Sequence, residues 1–526
     1  MLIKTLKIAL AIAVLSVSGV AANAKDLVIG ARADPAVDPH FQWLSTNVAY
    51  SRHMFDPLVR KDPNAQWVPG LATEWKALDK LTWELKLRKN VKFHDGSPFT
   101  ADDVIFSFDR IGKVPNNPNP YGANARSIKN IEKVDDHTIR IHTIKPDPLM
   151  LGPISNIFIV SKKIAENATS QDFRDGKAAV GTGPYKFVKY MPGAELILQR
   201  NDEYWGEKEP WEKVTFKIIP NDQARVAALL GGDIEVIDFP PPTEVAAIEN
   251  HPDTLVFKRS SDRVIYLVPD VGRENSPYVT AKDGSQIKNP MMDRRVREAM
   301  SLAINRDAIV ARVMDGLAEK SNQFVPKGFV GYNNDLPDLE YNPAKAKALL
   351  AEAGYPDGFS LTIHCSNNRY VNDAKLCEVI GQMLTRIGLD MKVETMPKNI
   401  FFPKIATYKK VEFSLILIGW GNASTGTAGP FLTSIFHTAD KERRMGHGNR
   451  AHYSDPAYDK MTEDAVEELD ADLRAKKMRD AMAYIVDKMI GIPLHTQFVV
   501  IGTRKGLVAT PRVDEMTTAM AIRPAG

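Results

Sequence analysis

Two hydrophobic periods alternate along this chain. Leu27-Val28-Ile29 is a short apolar run closed by Gly30 and predicts a first strand. Asp34-Pro35 and Asp38-Pro39 follow as turn signals. Ala49 to Leu58 mixes aromatic and apolar residues at helical spacing. Leu81 to Leu87 alternates apolar with polar and predicts a strand with one wet face. His94 to Pro98 reads as a tight turn. Thr100, with Asp103 three residues on, then predicts a capped helix to Arg110. Val134 to Thr143 opens on an Asp-Asp turn and continues as a strand, and Gly181 to Phe187 with Glu195 to Arg200 predicts a hairpin.

Beyond the hairpin, strand and helix take turns. Asp222 to Leu230 predicts a helix stopped by Gly231-Gly232, and Ile234 to Ile237 a strand. Asp293 to Ile304, Arg306 to Val313, Ala344 to Ala353 (opened by Asn342-Pro343 and ended by Gly354) and Ala374 to Ile387 are helical. Leu361 to His364, Met391 to Glu394 and Glu412 to Ile418 are strands, the last running into Gly419-Trp420-Gly421. Such alternation predicts α/β lobes. The 526 residues exceed what one core sustains, roughly 250–300 residues. With no repeat and no low-complexity linker, the lobes are expected to be joined by chain crossings.

The amino-terminal end changes the picture. Lys4 and Lys7 precede an apolar run from Ile8 to Val20, and Ala22-Asn23-Ala24 supplies small residues for cleavage. This predicts an export signal over 1–24 and a mature chain from Lys25. The run is short for an anchor, which takes roughly 20 residues, and no Cys near the cleavage site could carry a lipid. The expected location is the periplasm, as a secreted protein and not a lipoprotein. A formal net charge of +3 offers no electrostatic case for nucleic acid or an anionic membrane. Cys365 and Cys377 are the only cysteines. In an oxidising compartment they form either a disulfide or two buried thiols, and spacing alone leaves both open.

Signs of catalysis are absent from the sequence. There is no G-x-S-x-G elbow and no H-E-x-x-H, and Gly181-x-Gly183 lacks the third glycine of a nucleotide loop. His437, His447, His452 and His495 do not fall at compact metal spacing. No cofactor and no metal is expected, and the chain is not read as an enzyme. A secreted hydrolase is the remote alternative.

Several separate motifs then agree. Phe55-Asp56-Pro57-Leu58-Val59, Leu71-Ala72-Thr73-Glu74-Trp75 and Val91 to Val104 (VKFHDGSPFTADDV) closely resemble family 5 extracellular solute-binding proteins, the peptide, dipeptide and nickel-type receptors of ABC importers. Gly181-Thr182-Gly183-Pro184-Tyr185, Asn201 to Gly206, Val296 to Ala299, Ala303 to Arg306, Tyr341-Asn342-Pro343, Gly419-Trp420 and Tyr453 to Asp459 match the same family in order. The resemblance implies a two-lobed α/β periplasmic-binding-protein fold of type II with an extra inserted subdomain. One lobe is expected from 25–55, 180–265 and 490–526, the inserted subdomain at 56–179, and the other lobe at 266–489. It further implies its partners: a small-molecule or peptide-like ligand, a cognate ABC permease at the inner membrane and no nucleic acid, with the receptor itself monomeric. Receptors for a metal chelate, haem or a glycoconjugate on the same fold are the alternative.

Ligands of α/β sheets sit beyond the carboxyl ends of strands. On the first lobe this selects Arg32, Ser45 and Asn47, after the strand at Leu27. On the second it selects Trp420, Gly421 and Asn422. The resemblance adds Arg369, where peptide-binding members place an Arg for the ligand carboxylate, and Tyr121 as a stacking residue from the inserted subdomain. Dipeptide- and oligopeptide-binding members carry an Asp shortly after the Gly-Trp segment. Here no acid occurs until Asp440, so an anionic or amino-capped ligand is expected over a plain zwitterionic dipeptide.

Overall fold

The computed structural model describes residues 26–525 apart from 119, 407, 423 and 424; the export signal expected over 1–24 lies outside the described residues. The first apolar run forms β1 (Leu27–Ala31), followed by helix α1 (Ser45–Met54). The hairpin is β2 (Tyr185–Met191) with β3 (Glu195–Arg200). Next come β4 (Lys213–Ile218), β5 (Val236–Asp238) and the 16-residue β6 (Thr254–Pro269). The second half supplies β7 (Ser360–Ser366), helix α2 (Asp373–Thr385), β8 (Leu415–Gly421) and the 13-residue β9 (Ile492–Arg504).

These strands share one 12-stranded sheet, with the central order β7-β8-β6-β9-β5-β1-β4-β3-β2. β1 runs parallel to β4 and β5, and β7 parallel to β8; β6 is antiparallel to β8 and β9. One core joins Leu27, Ile29 and Phe216 to Val499, Ile501 and Ile522. It also takes in Leu85, Ile139 and Ile141 of a separate four-stranded antiparallel sheet. Two further cores collect Ile363, Leu417 and Ile492, and Tyr266, Ile416 and Phe431. The architecture is thus a two-lobed α/β fold, with β6 and β9 running through both halves.

Local rules hold where the sequence is explicit. Thr100 N–H donates to Asp103 Oδ2 at 2.9 Å, closing the cap of the helix Ala101–Arg110. Gly232 takes φ +84° and ends the helix Asp222–Gly231. The helix expected over Ala49 to Leu58 instead runs Ser45–Met54. The residue before a proline avoids helical backbone, and Asp56 is held elsewhere: it accepts from Trp205 Nε1 (2.9 Å) and Thr182 Oγ1 (3.0 Å). The expected helix Arg306 to Val313 is one α turn continued by a π turn, Ile309–Val313.

The long strand β6 is the main element that the hydrophobic pattern does not announce. Its middle, Lys258 to Arg263, is polar and breaks the alternation. The ladder with β9 breaks there too, between Ser260 and Val264. Such a bulge re-aims side chains, and here it carries Asp262 and Arg263.

Two predictions follow from burial. Cys365 on β7 and Cys377 on α2 are fully buried, with Cα atoms 6.6 Å apart, a separation that a disulfide can span. Peptide mapping without reductant is expected to find them linked. Replacing both with serine is expected to cost about 2–3 kcal/mol in a denaturant melt; two free thiols in the native protein would refute this. Second, His40, His53 and His94 are each pulled by burial from the ordinary 6.5 to about 4, and His495 to about 3. Their neutral forms stabilise the fold fully above pH 6.5, and that contribution is lost as pH falls from 6.5 towards 4. Each group adds up to about 1.4 kcal/mol per pH unit in that window. Urea midpoints measured from pH 7 to 4.5 should drop steeply below 6.5, and a flat profile would contradict the assignment.

Candidate functional site

The ends of β1 and β5 lie side by side, with Gly30 opposite Ile237. Arg32 and Asp238 therefore meet just beyond them, Arg32 Nε 3.4 Å from Asp238 Oδ1. The Arg32 guanidinium also lies 4.4 Å from the centre of the Phe239 ring. Ser45, in the first turn of α1, faces the same crevice, which Tyr50, Glu515 and Thr517 complete. Its free space is about 40 Å³, near the roughly 30 Å³ that one water occupies in the liquid.

The other lip is the end of β8. Its register on β6 sets Trp420 opposite Val264 and Gly421 opposite Arg263. A side chain at Gly421 would place its Cβ 2.8 Å from Asp262 Oδ2, so glycine lets the strand end close against that carboxylate. Trp420 is half-buried and meets Phe431 edge-on, ring centres 6.4 Å apart. Asn422 is fully buried, and its Nδ2 donates to the carbonyls of Asp262 and Phe324 at 3.3 Å each. It pins the backbone behind the lip.

Arg369 follows β7. Its N–H donates to Asp373 Oδ2 at 3.0 Å, and its guanidinium lies 5.0 Å from the Tyr370 ring centre. Tyr370 OH in turn donates to Gly419 O at 3.3 Å, tying this loop to β8. Arg369 is exposed to solvent. Desolvation at the lip still pulls its guanidinium below the usual arginine range, and the like charges of Arg263 and Arg32 add to the effect. Glu515 and Tyr370 oppose it. Those couplings bring Arg369 electrostatically into the same cluster as Arg32.

At the centre is an ion pair. Arg263 donates to Glu515 through Nη2 to Oε2 (2.7 Å) and Nε to Oε1 (3.1 Å), both side chains 17% exposed. Burial alone would lower Arg263 and raise Glu515; their mutual attraction reverses both shifts, with Arg369 also holding Glu515 down. Glu515 takes φ +59°, in the left-handed region, a strained conformation of the kind that collects at ligand sites. Its neighbour Asp514 is held by Arg512 at 2.9 and 2.7 Å and by Arg52 at 3.4 Å. Burial would raise that carboxyl, but Arg512 and Arg52, with a smaller contribution from Lys61, bring it down to about 2.

The structure brings Arg32 and Ser45 to one lip, and Trp420 and Gly421 to the other, with Arg369 coupled to both. It does not bring Asn47 and Tyr121 there. Asn47 is buried, accepting from Ala36 N–H (3.0 Å) and donating to Gln42 O (2.8 Å), so it braces its own loop. Tyr121 is fully buried in the core of the first lobe and has no face free to stack on a ligand. Sequence reasoning missed Asp238, Asp262, Arg263 and Glu515. Asp238 ends a strand beside β1, so the strand-end rule could have found it. Glu515 lies in a segment with no periodicity and gave no signal. The histidines lie apart: His437 contacts Glu463 (3.1 Å), His452 contacts Asp270 (3.1 Å), and His495 is buried in β9. No helix among the described residues is long and apolar enough to cross a membrane.

Comparison with known proteins gives a consistent picture. Residues 66–443 match the model of bacterial extracellular solute-binding proteins, family 5. The chain is 29% identical over 501 residues to heme-binding protein A of Haemophilus influenzae, covering 88% of this chain and 86% of that protein. It is 28% identical over 469 residues to the dipeptide-binding protein of Escherichia coli, covering 83% of each. The solved structure of HbpA2 from Haemophilus parasuis superposes with a TM-score of 0.79 at 26% identity, over 95% of this chain and 100% of that one.

Proposed function

This chain belongs to family 5 of the bacterial extracellular solute-binding proteins, and from that premise we propose that it is a periplasmic receptor for a peptide-like or amino-acid-conjugate solute. It encloses the solute between its lobes and delivers it to the permease of an ABC importer, with no covalent chemistry. The closing bodies are 25–55 with 180–265 and 490–526, bearing the inserted 56–179, and 266–489. The observation that carries the reading is the cluster at the crevice. Arg32 and Asp238 stand at one lip and Arg369 at the other, around the Arg263–Glu515 pair. The dipeptide-binding name of one relative supports the same ligand class.

Closure is favoured only by contacts that the ligand makes in the closed state alone. The space that Arg32, Ser45 and Glu515 line, about 40 Å³, does not hold a dipeptide by itself, so the ligand site takes in the second lip as well. Charge then narrows the ligand. The missing acid after Trp420 argued for an anionic or amino-capped solute. Asp262 against Gly421 and Glu515 beside Arg263 put two carboxylates at that spot from other segments. With Arg32, Arg263 and Arg369 facing Asp238, Asp262 and Glu515, a solute bearing both a carboxylate and a cation fits better than a purely anionic one. Its carboxylate pairs with Arg369, whose fork suits bidentate contact, and its cation lies towards Glu515.

Calorimetry tests these roles. Arg369→Ala is expected to lower affinity for a bound peptide by more than about 1.5 kcal/mol; an unchanged affinity removes Arg369 from the site. Glu515→Gln is expected to weaken zwitterionic dipeptides and to strengthen their N-acetylated counterparts, because Arg263 is released. The opposite ordering would refute the charge assignment. Small-angle scattering should show the radius of gyration shrinking on ligand addition, and an unchanged curve with a bound ligand would exclude closure.

A further inference from the structure

A second cavity lies in the first lobe, and its chemistry is unlike that of the crevice. It holds about 700 Å³, within the roughly 300–1,000 Å³ of small-molecule pockets. Six cations line it: Arg52, Arg60, Lys61, Arg88, Arg512 and Arg523. The two spaces share one wall. Glu515, Met516 and Thr517 face the crevice, while Thr510, Arg512 and Thr518 face the cavity.

The charges of this lining are unevenly matched. Arg523 pairs with Glu209 at 2.9 Å, and Arg52 and Arg512 share Asp514. Arg60 donates to Pro69 O and Tyr204 OH, and Arg88 to Gly70 O, each at 3.1 Å. Their guanidinium groups lie 4.8 and 4.2 Å from the Trp205 ring, so both contact a neutral π face. Asp56, the nearby buried acid, is engaged by Thr182, Trp205 and Tyr204. Lys61 has no such arrangement. It is 6% exposed, and its ammonium has no hydrogen-bond acceptor and no ion-paired carboxylate among the described residues. Burial pulls it down to about 7, with Arg52 and Arg512 adding to the effect and Asp514 and Asp262 opposing it from beyond ion-pair distance. An ammonium held at low exposure with no carboxylate in direct contact is costly, and an anion in the space that it lines offsets that cost.

We propose that this cavity is a second solute site, which takes a small multivalent anion carrying two or more carboxylate or phosphate groups. Lys61 supplies the buried charge, and the arginines around the lining supply planar forks suited to either group. Four acids, Asp56, Asp62, Glu207 and Glu209, also line the space and work against such a ligand; of these Glu209 is the one ion-paired to a lining cation, Arg523. The site is independent of the reading given to the crevice.

The test is calorimetry on the full exported chain, freed of ligand, at constant ionic strength, with citrate and tripolyphosphate as probes. Saturable binding of one molecule per chain is expected for at least one probe; which one binds separates carboxylate from phosphate recognition. Lys61→Met keeps the length and apolar stem of the side chain, and should weaken binding about tenfold or more. Glu209→Gln should tighten it, and decides the matter if the lysine variant does not fold. Arg369→Ala should leave it unchanged. The proposal is overturned if neither probe binds saturably up to millimolar concentration. It is also overturned if neither lining variant alters the affinity, or if Arg369→Ala abolishes binding and so places the anion in the crevice.

Discussion

The ladder between β6 and β9 constrains the rest of the molecule. Both strands run largely through buried surroundings, where an amide or carbonyl without a partner is expensive. β6 satisfies its groups on β8 and β9, and β9 on β5 and β6. One sheet therefore passes through both lobes without an open edge between them. The ladder to β9 is interrupted over 261–263, and there the tail segment and a side chain of β6 itself take over. Asp262 N–H donates to Val513 O at 2.8 Å, and Arg263 N–H to Ser261 Oγ at 3.1 Å. The interruption and the crevice coincide.

The segment that meets the bulge is held by charge as well as by packing. Arg512 and Arg52 grip Asp514, and Ala519 N–H donates to His53 Nε2 at 3.0 Å. These contacts fix the backbone on either side of Glu515 and sustain its left-handed conformation. A buried ion pair is weak evidence of net stability, but losing one partner is strongly destabilising. The Arg263–Glu515 pair therefore defines geometry more than it adds to the melting temperature.

Much of this was legible in the sequence. The hydrophobic pattern located β1 and β7 as short apolar runs that the sheet buries almost throughout, and the hairpin and α2 as elements with one buried and one exposed face. Thr100 with Asp103, and Gly231-Gly232, marked helix ends through local hydrogen bonding and backbone freedom. Asp56, Thr182, Tyr204 and Trp205, from three separated motifs, meet in one hydrogen-bonded cluster. β6 stayed hidden because its polar middle serves the crevice and not the core. For the candidate site, the strand-end rule selected Arg32 and Trp420, and the fold sets them at the ends of β1 and β8. The acids opposite them depend on a bulge and on a distant tail, which no local pattern encodes. Asn47 and Tyr121 carried plausible chemistry, but hydrogen bonding and packing turn both inward.

Glu515 sits outside the main sheet. Substitutions around it can invert the polarity of the pocket without disturbing any rung of the framework. Recognition and architecture are thereby uncoupled: new preferences can arise along a few residues of peripheral chain, while the scaffold that produces movement is inherited intact.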